Sequence, residues 1–343
     1  MERKLKKTLL ILVIILFIEI FIVGYHFEEI NDINKKGTIT IENIDFKTKV
    51  PIKGSEYSII EIKSNTVVDK LITNNNGKAT SAPLSYYKKY KIKQVRSPEY
   101  YQTSEEEHII EIKSNNNDVI FENKVFDYIK DYERLEDGSL NIKKVYMPVE
   151  TILQNPQLPN GCEITSLTAL LNYYNYEVEK VEMADKYLDK KYFYHKDGKL
   201  YGPNPHKAFV GDPSDANGWF SFPSPIIDAA NRYFNDISQD KKAINISNSS
   251  KEELRNYINR GIPIIIWVTI DMQKGKFNYS WYLSGSKEYF KAPTNLHTVV
   301  IKGYVDDKIY AMDPLRGHVI YDEDTLIQRY YEIGSYAMII EEK

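Results

Sequence analysis

The chain has a single cysteine, Cys162, among 343 residues. That excludes an intrachain disulfide scaffold, whichever compartment the protein occupies. It has no excess charge of either sign, with 45 Lys+Arg against 48 Asp+Glu. A nucleic-acid partner, whose phosphates call for a basic face, is therefore not expected. Internal repeats and low-complexity tracts are also missing, and the 42% hydrophobic content is that of folded protein. The length suits two globular units with accessories, since domains commonly run about 100 to 200 residues.

What the chain does have begins at its start. Thr8 to Gly24 is an apolar run interrupted only by Glu19, preceded by Arg3, Lys4, Lys6 and Lys7. About 17 residues can just cross a hydrocarbon core of roughly 30 Å. The basic flank stays on the cytoplasmic side, so residues 1–30 are expected to form a cytoplasmic tip and single-pass anchor, with the C-terminal domains extracellular. A cleaved signal peptide is the competing reading. Its apolar part is usually shorter, and Gly24-Tyr25-His26-Phe27 makes a poor cleavage site. A terminal position and basic flank argue against a buried core helix.

From Gly37 to Ile112 short alternating segments follow one another, Thr38–Ile41, Glu56–Ile59, Tyr90–Lys93 and Ile109–Ile112, as in an antiparallel sandwich. Asn74-Asn75-Asn76-Gly77 supplies residues that tolerate the positive φ of tight turns. Gly54 with Tyr57, Thr73 to Gly77, Leu84, and Tyr90 to Tyr100 together resemble the SpaA or Cna-B type of prealbumin-like domain of Gram-positive surface proteins. The resemblance implies an all-β sandwich over residues 31–114, acting as spacer or adhesive module. Many members carry an internal isopeptide crosslink. Gln94 stands where the resemblance places an acidic residue, so no crosslink is expected here. Residues 115–144, with the polar Ser114–Asn117 run and a weak apolar period at Val125, Phe126 and Ile129, read as a partly helical linker.

From residue 145 to 343 helix and strand patterns mix. Asn160-Gly161-Cys162-Glu163 leads into Ile164, Leu167, Leu170, Leu171 and Tyr174, which places Cys162 in the first turn of an amphipathic helix. Asn160 is a candidate N-cap, and Glu163 a candidate N3 partner in a variant capping box. Free N–H groups and the positive end of the helix would then favour thiolate over thiol. The bland reading, a small buried core cysteine, does not account for a glycine-flanked helix start.

A thiolate mechanism needs a proton shuttle. His26 is juxtamembrane, His108 falls in the first domain, and His195 and His206 sit in loops. His297 instead opens the core strand Thr298-Val299-Val300-Ile301, and the next strand, Lys308 to Met312, ends at Asp313-Pro314. A hairpin would let Asp313 reach His297 and set its tautomer. Elsewhere, Ser250–Glu253 reads as a capping box and Ser224-Pro225 as a helix start. Asp212, Asp215 and Asn217 have the wrong spacing for an EF-hand loop, and no metal is expected.

The segments Met147–Val149, Gln154–Ser166, Gly202–Pro213, Gly261–Met272, His297–Tyr304 and Asp313–Gly317 resemble, in order, the C39-like family of papain-fold cysteine peptidases, relatives of the double-glycine peptidases. The resemblance implies an α+β papain-like domain over 145–343. It makes Cys162 the nucleophile, His297 the general base and acid, and Asp313 the orienting group, with a peptide or protein as substrate and no cofactor. It also implies an oxyanion-stabilising glutamine before the cysteine. Gln154 and Gln157 both qualify, and Gln154 is taken as the candidate. Trp219, in a glycine-flanked loop, is the candidate substrate wall, while Trp267 and Trp281 read as packing residues. Two further readings stay open: a non-catalytic adhesion or peptide-binding module, and a transpeptidase or amidase acting on a cell-wall component through the same thioester chemistry.

Overall fold

The computed structural model describes residues 14–20, 35–135 and 137–342. Most of the expected anchor lies outside the described residues, apart from the helical stretch 14–20. Among the described residues no helix is long and apolar enough to cross a membrane. The chain divides into two compact units, one comprising the chain to Phe126 together with Leu135–Ser139, the other Asp127–Arg134 and the chain from Leu140 on.

Among the described residues the first unit has eight strands: β1 (Lys36–Asp45), β2 (Glu56–Glu61), β3 (Thr66–Ile72), β4 (Lys78–Thr80), β5 (Leu84–Ser85), β6 (Lys89–Arg96), β7 (Glu107–Glu111) and β8 (Asn116–Asn123). One sheet is built on β1, flanked by β4, β5 and β8; the other runs β3-β2-β6-β7. Alternation in β1 is strict, with Ile39 and Ile41 inward, because successive side chains of a strand point to opposite faces. They meet Tyr57, Ile59, Tyr90, Ile92 and Phe121 in one core. Gly77 adopts φ +68°, and a Cβ there would lie 2.5 Å from the Asn43 carbonyl oxygen, so the turn that the Asn-rich run signalled requires glycine.

The linker expected over residues 115–144 is not what forms. Residues 116–123 are β8, paired in parallel with β1 from Thr38↔Asn116 to Asp45↔Asn123. Gln94 and Asn123 exchange hydrogen bonds inside this unit, Gln94 Nε2 donating to Asn123 Oδ1 (3.0 Å) and Asn123 Nδ2 donating to Gln94 Oε1 (2.8 Å). The rest of the supposed linker is the hairpin of β9 (Ile129–Arg134) and β10 (Leu140–Tyr146) at the start of the second unit. The charged residues that suggested a linker are the outward positions of these strands.

The second unit continues with β11 (Lys190–Lys191), β12 (Tyr194–Lys196), β13 (Lys199–Gly202), β14 (Phe209–Val210), β15 (Lys241–Asn245), β16 (Ile264–Thr269), β17 (Tyr279–Leu283) and β18 (Tyr289–Ala292). It closes with β19 (Leu296–Val305), β20 (Lys308–Asp313), β21 (Gly317–Asp322) and β22 (Ala337–Glu342). Its main sheet runs β15-β22-β16-β19-β10-β9, with β20 on β19 and β21 on β20. A smaller sheet, β12-β13-β17-β18, stands beside it in the same unit.

Helices cover the main sheet: α1 (Cys162–Tyr173), α2 (Pro223–Asp236), α3 (Lys251–Asn259) and α4 (Glu323–Ile333). Every residue of α1 from Cys162 to Leu171 is buried, so it is an enclosed helix and not the one-sided amphipathic helix its leucine spacing suggests. Every residue of β16 is buried as well, in keeping with its unbroken apolar run Ile264–Val268. The Ser250–Glu253 capping box opens α3 as expected. Helix α2 starts two residues before the expected Pro225, at Pro223, because Phe222 is the capping residue.

Candidate active site

Three chain segments converge on the start of α1. The helix begins at Cys162 with Gly161 as its cap, and no side chain caps it. Asn160, expected to do so, instead donates its Nδ2 to the Asp215 carbonyl (2.8 Å). Glu163, expected to close the capping box, is folded inward and fully buried. Its Oε1 accepts the Ser221 N–H (2.9 Å), and its Oε2 accepts the Cys162 thiol (3.3 Å).

This reverses one expectation. Burial pushes the Cys162 thiol well above its ordinary value, and the adjacent Glu163 carboxylate pushes it further. The helix start does not outweigh burial and that neighbouring charge. Burial also raises the Glu163 carboxyl, to about 7.

His297 is the second residue of β19, and Asp313 ends β20, its hairpin partner. Both are 2% exposed, and His297 Nε2 lies 2.7 Å from Asp313 Oδ1. Asp313 also accepts the Leu315 N–H (2.8 Å) at Oδ1 and the Tyr321 hydroxyl (2.6 Å) at Oδ2. Burial alone would raise its pKa. The imidazole, the phenol and the backbone N–H together outweigh that and hold it at about 2, so this carboxylate stays ionised. In turn burial, and after it Asp313, drive the Tyr321 phenol upward, keeping it a donor.

One cavity is lined by Gln154, Cys162, Trp219 and His297, so the structure gathers these four sequence candidates, with Asp313 immediately behind His297. Gln157 is exposed and does not line it. Gln154 is fixed by its backbone N–H to the Pro314 carbonyl (2.8 Å), which ties it to the turn after Asp313. Its Nε2 donates to the Pro159 carbonyl (2.6 Å), while its buried Oε1 has no partner.

Trp219 reaches the cavity because Gly218 lets the loop fold tightly; a Cβ there would sit 2.1 Å from the Asp212 carbonyl oxygen. Its ring packs on Tyr279 (4.5 Å between centroids) and beside Phe193 (6.1 Å). Trp267 and Trp281 are buried packing residues, as expected.

The sequence reading missed Phe193, which precedes β12, and Leu200 and Tyr279 of the small sheet, all of which join the cavity wall. Nothing local to those strands signals that their inner face meets a cysteine more than 30 positions away. Glu163 was visible, but as a cap. The arrangement is a thiol and an imidazole on one cavity, a carboxylate ordering the imidazole, and a buried amide close by. It has the parts for acyl transfer at sulfur.

Residues 146–338, more than half of the chain, match the Peptidase_C39 like family, and the chain belongs to that family. Residues 37–125 match the SpaA prealbumin-like fold domain, a span that contains β8. A solved structure from Bacillus anthracis, assigned as a C39-like peptidase, shares 26% identity with a TM-score of 0.51, covering 59% of this chain and 98% of that one. The uncharacterised protein YvpB of Bacillus subtilis is 26% identical over 241 residues, which is 68% of this chain and 92% of that protein. The fold is thus a prealbumin-like β domain followed by a C39-like peptidase domain.

Proposed function

We propose that the protein is a cysteine peptidase that cleaves peptide or protein substrates through a thioester on Cys162. The observation that carries this reading is the shared cavity of Cys162, His297 and Gln154, with Asp313 2.7 Å from the far nitrogen of His297. With Nε2 engaged by Asp313, Nδ1 is the nitrogen left to exchange a proton with the thiol.

In this mechanism the thiol passes its proton to His297 as sulfur adds to the scissile carbonyl carbon. The carbonyl oxygen gains negative charge, which the Gln154 amide and the Cys162 backbone N–H meet. His297 then returns the proton to the leaving amine as the C–N bond breaks. Water, deprotonated by His297, hydrolyses the thioester and frees the sulfur. Asp313 keeps the imidazole in one tautomer and balances its charge.

The apolar run 8–24 behind its basic flank supports a further part of the proposal, that the protein is anchored in a cell membrane with both domains outside. There its substrates would include surface proteins or peptides of the wall.

The test is labelling by a peptide-like, cysteine-directed electrophile. The native chain is expected to label rapidly, Cys162→Ala not at all, and His297→Ala at least ~100-fold more slowly, the scale of a lost proton shuttle. Equal, slow labelling of native chain and His297→Ala would leave an ordinary thiol and sink the proposal.

A further inference from the structure

Glu163 has no role in the mechanism above, yet its Oε2 touches the reacting sulfur. It is fully buried and makes no ion pair among the described residues, unlike Asp313 with His297 or Glu323 with Arg255. Burying a carboxyl without a cation is costly. If its only task were to hold the Ser221 N–H, a neutral glutamine would do so without that cost. What a carboxyl adds is a charge that changes with pH beside the sulfur.

Resting on the reading of Cys162 as the nucleophile, we infer that Glu163 is a proton-operated switch on it: the neutral acid donates a hydrogen bond to the thiolate, whereas the carboxylate keeps the proton on sulfur. In the neutral state the S–H bond breaks and an N–H bond forms on His297, and the Glu163 O–H is left to donate to the thiolate. In the ionised state the same transfer would set two negative charges side by side, so the thiol persists and donates to Oε2. The Ser221 N–H holds Oε1 in both states and keeps Oε2 as the atom at sulfur.

Few other charges can interfere. On α1 the neighbouring titratable group is Cys162; β19 brings His297, and β20 brings Asp313, engaged with that imidazole. The strand β16 and the segment Phe220–Ser221 carry none, and α2 keeps Asp228 and Arg232 exposed. Neither buried hydroxyl nearby, Ser221 Oγ or Thr298 Oγ1, donates to the carboxylate, whose fixed donor from that side is the Ser221 N–H.

An ordinary thiol becomes more reactive as pH rises. This one should lose reactivity as Glu163 ionises around neutral pH, and Glu163→Gln should remove that loss. The experiment is the rate of iodoacetamide alkylation of the full chain across about pH 5 to 9, read at its only cysteine. At the acid end Glu163→Gln should match the native rate. At the alkaline end it should exceed it by about tenfold or more, since each pKa unit of removed repulsion is worth a factor of ten.

A ratio of variant to native rate that stays constant with pH overturns the inference, because a purely structural effect scales the whole profile. Circular dichroism and melting curves check the fold. Should Glu163→Gln fail to fold, Glu163→Asp, which draws the carboxyl back from sulfur, must weaken the pH dependence or the inference falls. His297→Ala keeps the two claims apart: an unchanged rate in it removes the nucleophile reading, whatever the Glu163 ratio does.

Discussion

The two units differ in what surrounds their buried polar groups, although both hold buried polar atoms without a hydrogen-bond partner, Asn43 Oδ1 in the first among them. In the prealbumin-like unit Gln94 and Asn123 satisfy each other, Asn123 also donates to the Gln102 carbonyl (2.7 Å), and Asp45 accepts the Tyr101 hydroxyl (2.8 Å). In the peptidase unit Gln154 Oε1, Thr165 Oγ1, Ser221 Oγ and Thr298 Oγ1 are buried and unpartnered, and Glu163 lies against a thiol. A satisfied polar network fixes one packing arrangement. A buried polar atom without a partner costs stability. The Gln94–Asn123 pair serves packing within its own unit, whereas Glu163 lies against the sulfur proposed to react.

Substitutions can break that contrast. The largest effect is expected from Asp313→Ala, which removes the acceptor that fixes the imidazole tautomer. The turnover number on a peptide selected from a cleavage library should fall by about 1,000- to 10,000-fold. If it falls less than tenfold, the ordered carboxylate is scaffold, and the contrast weakens. Next is Gln154→Ala, with an expected loss of roughly 100- to 1,000-fold in kcat and little change in KM. A loss confined to KM would make Gln154 a binding residue instead. The smallest effect belongs to the first unit: Asn123→Leu should lower its stability by about 1–3 kcal/mol, the cost of orphaning Gln94, and leave peptide cleavage unchanged. Denaturant unfolding beside an activity assay reads both quantities.

What was legible in the sequence was what is local. Cys162 announced itself through the glycine before it and the apolar spacing after it, and His297 with Asp313 through two short strands joined by a tight connection. Trp219 was flagged by its glycine neighbour. What escaped depends on partners far along the chain. Glu163 has the composition of a cap, and only the Ser221 N–H, 58 residues away, turns it inward. Strand β8 looked like linker because its partner β1 lies more than 70 residues earlier, and parallel pairing leaves no hairpin signal. The thiol's raised pKa followed from the same blind spot, since burial of α1 on every side is a property of the packed domain.

The β1–β8 pairing has a mechanical consequence. β1 is the first and β8 the last strand of the described part of the first unit, and the two run in the same direction over eight matched positions. Tension between the two ends of this unit therefore slides one strand along the other and cannot peel them apart. A load in that direction is shared by the whole ladder at once, over about 25 Å at the usual rise per residue. Unzipping would break the same bonds singly. With no covalent crosslink assumed, the domain is wired to bear a pull as a shear joint.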